Sequence, residues 1–452
     1  MRLLLVGAFP YPHNQGSQVY FQEQAIALRD AGAQVELLTY ATQAGAAISE
    51  PTDPSTRALQ DFKVHRSPRW TAPRSVRSGP SWAKPFADLG LGQTLRQTLA
   101  SRIDDAAVDA AHDAPNDAKA TVRYDAVLAH NAEAAVIALT ALRKPRPPIL
   151  YCVHTLMGHE LSTYLKTPLL RPLPPTQPTG KRPFSTRVID RSGRVIDRWI
   201  ARRVDGWIAL TQSSARVMQQ SAKGPGALIP PPIPDPETSL KSRDVEEVCA
   251  RYGLDPGRFF VYSGNLDPYQ ELDILAAVGQ AATEPTAALP PGATSAKKPP
   301  VLVLASHDPA AADWAAARPG IQACIVDSSE EMQTLLRAAR ASLVLRKAVG
   351  GFPIKLANSL AVGTPAIAFH GREWGLLDGE NSLLCDPENA VRSIANAIAN
   401  LDQDSELALR LSRGARQLYL DQHLPASAAR ETLALIERTQ RFRGEVEGLP
   451  GV

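Results

Sequence analysis

Gly350-Gly-Phe-Pro-Ile-Lys-Leu-Ala-Asn-Ser-Leu-Ala-Val-Gly-Thr-Pro-Ala-Ile-Ala-Phe369 links two short apolar runs through a glycine turn and a helix. The first run, Ala341-Ser-Leu-Val-Leu345, reads as a buried strand, and Ala366-Ile-Ala-Phe369 as the next one. Gly350 and Gly351 permit a backbone turn that other residues resist. The helix after them aims its free N–H groups back at that turn, where an anion is favoured. Arg346 and Lys355 supply full positive charge, Ile354 opens the helix, and Asn358 lies one turn on from Lys355, in reach of a ribose hydroxyl. Gly363-Thr-Pro365 then stops the helix.

The same grammar recurs at the start of the chain. Leu3-Leu-Leu-Val6 predicts a buried parallel strand, followed by a loop through Gly16, a helix from about Ser17 to Ala31, and a second strand, Val35-Glu-Leu-Leu-Thr39. This is a right-handed βαβ unit. Ala126-Val-Leu-Ala129, Ile149-Leu-Tyr-Cys-Val153 and Gly206-Trp-Ile-Ala-Leu210 are further strands of an open parallel sheet. The proline-rich Ile229-Pro-Pro-Pro-Ile-Pro-Asp-Pro236 is a stiff connector. Beyond it Phe259–Ser263, Val301–Ala305 and Ile321–Val326 join the two later strands, with helices at Leu272–Gln280 and Ser328–Ala339. Glu284–Pro300 reads as a loop insertion, and Ser405–Thr439 as helix throughout except at Pro425. The expected fold is α/β: two Rossmann-like domains with parallel sheets, residues 1–229 and 230–423.

Composition narrows the classes. A chain of 452 residues exceeds one ordinary core, so two domains are natural. A net charge of +3 and 44% hydrophobic residues describe a globular protein with no global attraction for nucleic acid. Cys152, Cys249, Cys324 and Cys385 lie far apart, with no metal-type spacing, as befits buried thiols in a reducing cytoplasm. The apolar start is too short for a signal peptide, and no stretch reaches the ~20 apolar residues that span a bilayer. Lys166 to Arg203 is locally basic, with Lys181, Arg182, Arg187, Arg191, Arg194, Arg198, Arg202 and Arg203 against Asp190 and Asp197. It is either a solvated loop and helix face or a patch for an anionic membrane or phosphorylated lipid acceptor.

Three more stretches bear on chemistry. Gly7 to Ser17 places Gly16 before the first helix, where it either makes the turn or contacts a phosphate or sugar oxygen. Its spacing is not that of a dinucleotide fingerprint. His154 follows the strand ending at Val153, and His130, with Asn131 and Glu133 nearby, occupies the same position one strand earlier. A neutral imidazole there serves either as a structural group or as a hydrogen-bonding partner for a sugar hydroxyl. His159 and Glu160 do not complete a zinc-protease pattern, so no metal is read there. Asn265 and Gln270, in Tyr262-Ser-Gly-Asn-Leu-Asp-Pro-Tyr-Gln270, form a simple turn or aim amides at a diphosphate.

With these residues the chain resembles the GT-B glycosyltransferases, specifically glycosyltransferase family 4. The Pro10 to Gly16 loop, the Val153-His154 strand end, the Gly-Asn-Leu-Asp turn and the Lys-Leu-x-Asn-x-x-Ala-x-Gly-Thr-Pro block carry the likeness. It implies two facing domains, an acceptor site in the first and a nucleotide-sugar site in the second. A final helix of about 424–445 would cross back to the first domain. It further implies metal-independent transfer with retention, from a UDP- or GDP-sugar to a hydroxyl on a glycan, lipid-linked precursor or metabolite. The hexosyl donor is a substrate and no other cofactor is implied.

Position by position, His154 falls on the family's sugar-contacting histidine and Gly16 on its loop glycine beside the diphosphate. Lys355 and Arg346 would stabilise the leaving diphosphate, with Gly350, Gly351, Ile354, Asn358, Asn265 and Gln270 lining the donor site. The family's common Arg and Lys are replaced by Asn265 and Gln270, and its Glu-x7-Glu pair by Gly350 and Asn358. An alternative is therefore a non-catalytic GT-B protein that binds a sugar nucleotide or partner enzyme. An epimerase would want paired carboxylates and a pyridoxal phosphate phosphorylase a Schiff-base lysine, neither of which the residues assign. The expected place is the cytoplasm, with peripheral contact at the inner face of the membrane, in polysaccharide or glycoconjugate biosynthesis. Closure around Pro230 to Pro236 would exclude water from the donor.

Overall fold

The computed structural model describes residues 1–12, 16–41, 61–72, 84–100, 124–160, 184–238, 242–266, 270–283, 300–348 and 350–447. Asp267, Lys166, Lys181, Arg182 and most of the 284–300 insertion thus lie outside the described residues. The chain divides into two compact units. One takes Met1–Tyr164, Gln177–Pro230 and Ala426–Val452; the other takes Pro231–Pro425 with Leu165–Thr176, the latter outside the described residues.

In the first unit β1 (Arg2–Pro10), α1 (Gly16–Asp30), β2 (Gln34–Tyr40), β3 (Lys63–Arg66), α2 (Lys84–Ala100), β4 (Ala126–His130) and α3 (Asn131–Ala141) follow in order. They are succeeded by β5 (Ile149–Val153), α4 (Phe184–Ala201), β6 (Gly206–Ala209), α5 (Gln212–Ser221) and β7 (Gly226–Leu228). The strands form one parallel sheet in the order β3-β2-β1-β4-β5-β6-β7. Leu3, Leu4, Leu5 and Val6 are all fully buried, because helices cover both faces of such a sheet and an apolar run replaces alternation.

The second unit runs α6 (Ser242–Arg251), β8 (Phe259–Ser263), α7 (Leu272–Thr283), β9 (Val301–Ser306), α8 (Ala310–Ala316), β10 (Ile321–Ile325) and α9 (Ser329–Ala338). It continues through β11 (Ala341–Val344), α10 (Ile354–Ala361), β12 (Ala366–Phe369), β13 (Ser382–Cys385), α11 (Ala390–Gln403) and α12 (Ser405–Gln422). Its parallel sheet has the order β10-β9-β8-β11-β12-β13. Strand parity divides its core: Phe260, Tyr262, Leu302, Leu304, Leu343 and Ile367 pack on one face, Phe259, Val261, Val303 and Cys324 on the other.

Both sheets reverse direction between their first and fourth strands, β1/β4 and β8/β11. At such a switch point the helices diverge to opposite faces and leave a crevice beyond the carboxyl ends of the strands. Gly7, Gly16 and His130 stand at the first reversal; Gly264 and the Arg346 to Gly351 turn stand at the second.

Some expectations shift. The edge strands β3, β7 and β13 are additional, and Gly16 is the first residue of α1 rather than part of the loop. The C-terminal helix breaks at His423 and Leu424, before Pro425, and Pro425 opens α13 (Pro425–Glu447), as proline does at a first helical position. From Ala426 this helix belongs to the first unit, where Gln440 and Arg443 donate to the carbonyls of Asp125 and Arg146 at 3.0 and 2.9 Å. From Pro231 the proline connector belongs to the second unit. The Ile233 N–H donates to the His423 carbonyl at 3.0 Å, Tyr419 donates to Ile233 O, and Arg416 pairs with Asp235. All four cysteines are buried and free. No described helix is long and apolar enough to cross a membrane.

Candidate active site

In the first unit the register sets His130 beside Cys152 and opposite Gly7. His154 lies two residues past Cys152 and so returns to the same side of the sheet. There the imidazoles meet, His130 Nδ1 lying 3.0 Å from His154 Nε2. Tyr20 and Phe21 of α1 close around them, with ring centroids 4.9 Å from His154 and 4.8 Å from His130 respectively. Burial in this aromatic box pushes both imidazoles down, His154 to about 3 and His130 well below its ordinary value, with the neighbouring His154 adding to the effect on His130. Both are therefore neutral across the physiological range.

Just after His130 the chain turns into α3 through Asn131, whose φ of 72° is left-handed. Asparagine tolerates this better than most residues, and its Oδ1 accepts the Ala134 N–H at 3.0 Å, capping the helix. Glu133 is paired with Lys84 rather than turned to the histidines. The loop after β5 is held by the buried Asp197, which accepts the N–H groups of Met157 and Gly158, each at 2.9 Å.

In the second unit Lys355, in the first turn of α10, reaches back to the end of β8. Its Nζ lies 4.0 Å from the centre of the Tyr262 ring and donates to Gln270 Oε1 at 2.9 Å. Tyr262 OH donates to the same oxygen at 2.7 Å, and Gln270 Nε2 donates to Asn265 Oδ1 at 3.1 Å. An ammonium can only donate, so it dictates which way the Gln270 amide faces. The amide expected to point outward thus spends its oxygen on Lys355 and Tyr262 and an N–H on Asn265. Gly264, at φ 144°, leaves room for the ammonium: a Cβ there would sit 2.8 Å from Nζ.

Desolvation first, and the Arg346 charge second, lower the Lys355 ammonium to about 7. The full positive charge expected from the sequence is therefore present only in part at neutral pH, and an arriving anion would restore it. Gly350 and Gly351 turn at φ 109° and 68°, Pro353 stands at the N-cap of α10, and no side chain caps that helix. Ile354 and Lys355 accordingly offer N–H groups without intrahelical acceptors. Arg372 donates to the carbonyls of Arg346 and Lys347, and Trp374 to that of Gly351 at 3.1 Å, so the turn is braced from behind. Asn358 is half-buried in the second turn of α10.

The structure thus joins Lys355, Gln270 and Asn265 in one network and places Arg346, Gly350, Gly351, Ile354 and Asn358 around it. His154 and Gly16 stand in the first unit. Tyr262, Arg372 and the His130–His154 bond are additions. The parity of Phe259–Ser263 would have placed Tyr262 on the right face, whereas nothing local marks Arg372.

Residues 15–231 match a family model described as Glycosyl transferase 4-like domain. No curated protein matches the chain in sequence. Among solved structures it is similar to sucrose-phosphate synthase from Thermosynechococcus elongatus, at 15% identity and a TM-score of 0.68, covering 98% of this chain and 99% of that one. HepE of Anabaena, in complex with UDP, aligns at 14% identity and a TM-score of 0.62 over 97% and 100% of the two chains. WaaG, a glycosyltransferase involved in lipopolysaccharide biosynthesis, aligns at 15% and 0.57 over 96% and 99%.

Proposed function

We propose that this chain, whose residues 15–231 match a glycosyl transferase 4-like domain and whose two parallel sheets have the GT-B fold, transfers a sugar from a UDP- or GDP-sugar to a hydroxyl acceptor. The acceptor is a glycan, a lipid-linked precursor or a metabolite. The observation that carries the reading is the Lys355–Gln270–Tyr262 network, set at the switch point beside an uncapped helix start and the Arg346 turn. It is a site built for a diphosphate.

In this reading the bond from the anomeric carbon to the diphosphate oxygen breaks while the acceptor oxygen bonds that carbon from the same face. The hydroxyl proton passes to the departing diphosphate. Lys355, Arg346 and the N–H groups of Ile354 and Lys355 stabilise the growing charge in the role that a metal ion has in other transferases. Asn358, in the second turn of α10, contacts the ribose.

Calorimetry with UDP and GDP, followed by product analysis across donors and acceptors with and without chelator, tests the proposal. Binding of one nucleotide below about 1 mM, with chelator-resistant transfer and a retained anomeric configuration, is the expected result. Binding without turnover would leave the non-catalytic reading, and no binding would remove both.

We also propose that the exposed side of α4 and the residues after it touch an anionic membrane surface. Arg191, Arg194, Val195, Arg198, Arg202 and Arg203 are exposed, whereas Asp197 is turned into the unit. The helical spacing puts most of these arginines on one face. At about 1 kcal/mol per charge, neutralising Arg198, Arg202 and Arg203 to Gln is expected to weaken sedimentation with phosphatidylglycerol vesicles by about 100-fold. Unchanged binding, or equal binding to phosphatidylcholine, would sink this.

A further inference from the structure

The His130–His154 contact contains more than a pairing of rings. Both imidazoles are neutral, so the 3.0 Å N···N contact takes one proton: one nitrogen donates and the other accepts. Two arrangements satisfy that count, and they leave different groups at the far ends of the pair.

If His154 Nε2 donates, His130 must carry its own proton on Nε2. That nitrogen is buried without a hydrogen-bond partner among the described residues, in a ring that is 0% exposed and packed against Phe21 and Tyr20 at centroid distances of 4.8 and 5.3 Å. An orphaned buried N–H is among the rarest features of folded proteins, rarer than an under-used acceptor. If instead His130 Nδ1 donates, the orphan is only a bare lone pair. His154 then carries its proton on Nδ1. His154 keeps 8% exposure where His130 keeps none, so the pair reaches its surroundings only through His154.

We infer that His130 is a positioning residue: it donates from Nδ1 to His154 Nε2, locks His154 as the Nδ1–H tautomer, and so makes His154 a neutral hydrogen-bond donor to its ligand. His154 then offers a proton to a ligand oxygen and is not a base for a hydroxyl. The tautomer assignment stands on the ring contact, the orphaned Nε2 and the neutrality that burial imposes on both rings, whereas its effect on transfer rests on the function proposed above.

The test uses the full chain labelled with 15N-histidine and long-range proton–nitrogen NMR, with His130→Asn and His154→Asn to assign the two rings. The expected spectrum has each ring protonated on Nδ1 and bare on Nε2. A proton on His154 Nε2, or a doubly protonated ring at pH 7, would overturn the inference. His130→Leu is expected to free His154 to sample both tautomers and to lower kcat for transfer by about 10–100-fold, with the donor KM changed far less. His130→Asn restores an amide N–H where Nδ1 stood and is expected to recover most of that loss. Thermal melts separate misfolding from mispositioning, since the Asn variant should recover rate even where it does not recover Tm. If His130→Leu leaves both the His154 spectrum and kcat unchanged, His130 has no such role. If the wild-type chain transfers no sugar, the proposed function fails, but the spectrum still decides the tautomer.

Discussion

Lys355→Ala is expected to lower kcat/KM for sugar transfer by about 100–1,000-fold, the loss typical when one preorganised donor to a developing anion is removed. The pH dependence makes the test specific. In the empty site the ammonium is held down to about 7, first by desolvation and then by the Arg346 charge. A diphosphate prefers the charged form, so affinity for a nucleotide sugar should fall as pH rises above about 7, by up to tenfold per unit. Lys355→Arg keeps a permanent charge and should bind more weakly but with a flat profile. The same burial has a stability side. Below about 7 the folded and unfolded chains both carry the proton, so the cost of the buried charge is fully present; it is relieved as pH rises from there towards the ordinary lysine value of 10.5. Lys355→Met should therefore stabilise the unliganded protein at pH 6 by of order 1 kcal/mol after screening, or about 2–4 °C in Tm, while weakening donor binding. A Lys355→Ala enzyme with wild-type turnover, or affinity independent of pH in the wild type, would take the lysine out of the mechanism.

How legible each part was follows from how local its cause is. Leu3–Val6 and Ile149–Val153 are buried on both faces, so their apolar runs were unmistakable. The edge strand Lys63-Val-His-Arg66 is only half-buried, and its charges hide its strand character; Gly226–Leu228 and Ser382–Cys385 are too short to show a run. The glycine turn and helix start at Gly350 to Ile354 were readable because they depend on neighbours in sequence. The direction of the Gln270 amide was not, because it is set by Lys355, 85 residues away, and by the donor-only chemistry of an ammonium. Likewise the positions of His130 and His154 at strand ends were visible, but their hydrogen bond depends on the β4–β5 register.

Glu36 carries the largest expected effect on stability, and it lies away from the site, near the amino ends of the strands. Its side chain is 9% exposed, and the carboxylate gathers Arg2, His65 Nε2 at 2.6 Å and Tyr124 OH at 2.8 Å, with Lys63 at 3.9 Å. Burial alone would raise its pKa, but hydrogen bonds from His65, Arg2 and Tyr124, with the Arg2 charge, outweigh it and bring the group from an ordinary 4.5 down to about 2. A depressed carboxylate contributes stability that is fully present above the ordinary value and lost as pH falls through the depressed one. The difference corresponds to about 3 kcal/mol at pH 7. Glu36→Gln keeps the shape, removes the charge and leaves Arg2 and His65 facing a weaker acceptor. The transition of the unit containing Glu36 should move down by about 6–12 °C, at roughly 2–4 °C per kcal/mol for a domain of this size. Donor binding, measured well below that transition, should be unchanged. Acid titration supplies the sharper discrimination: the wild type should lose stability between about pH 4.5 and 2 where the variant shows correspondingly less change. Identical acid profiles would mean that the strands are joined at this end by packing, and that the charges contribute nothing net.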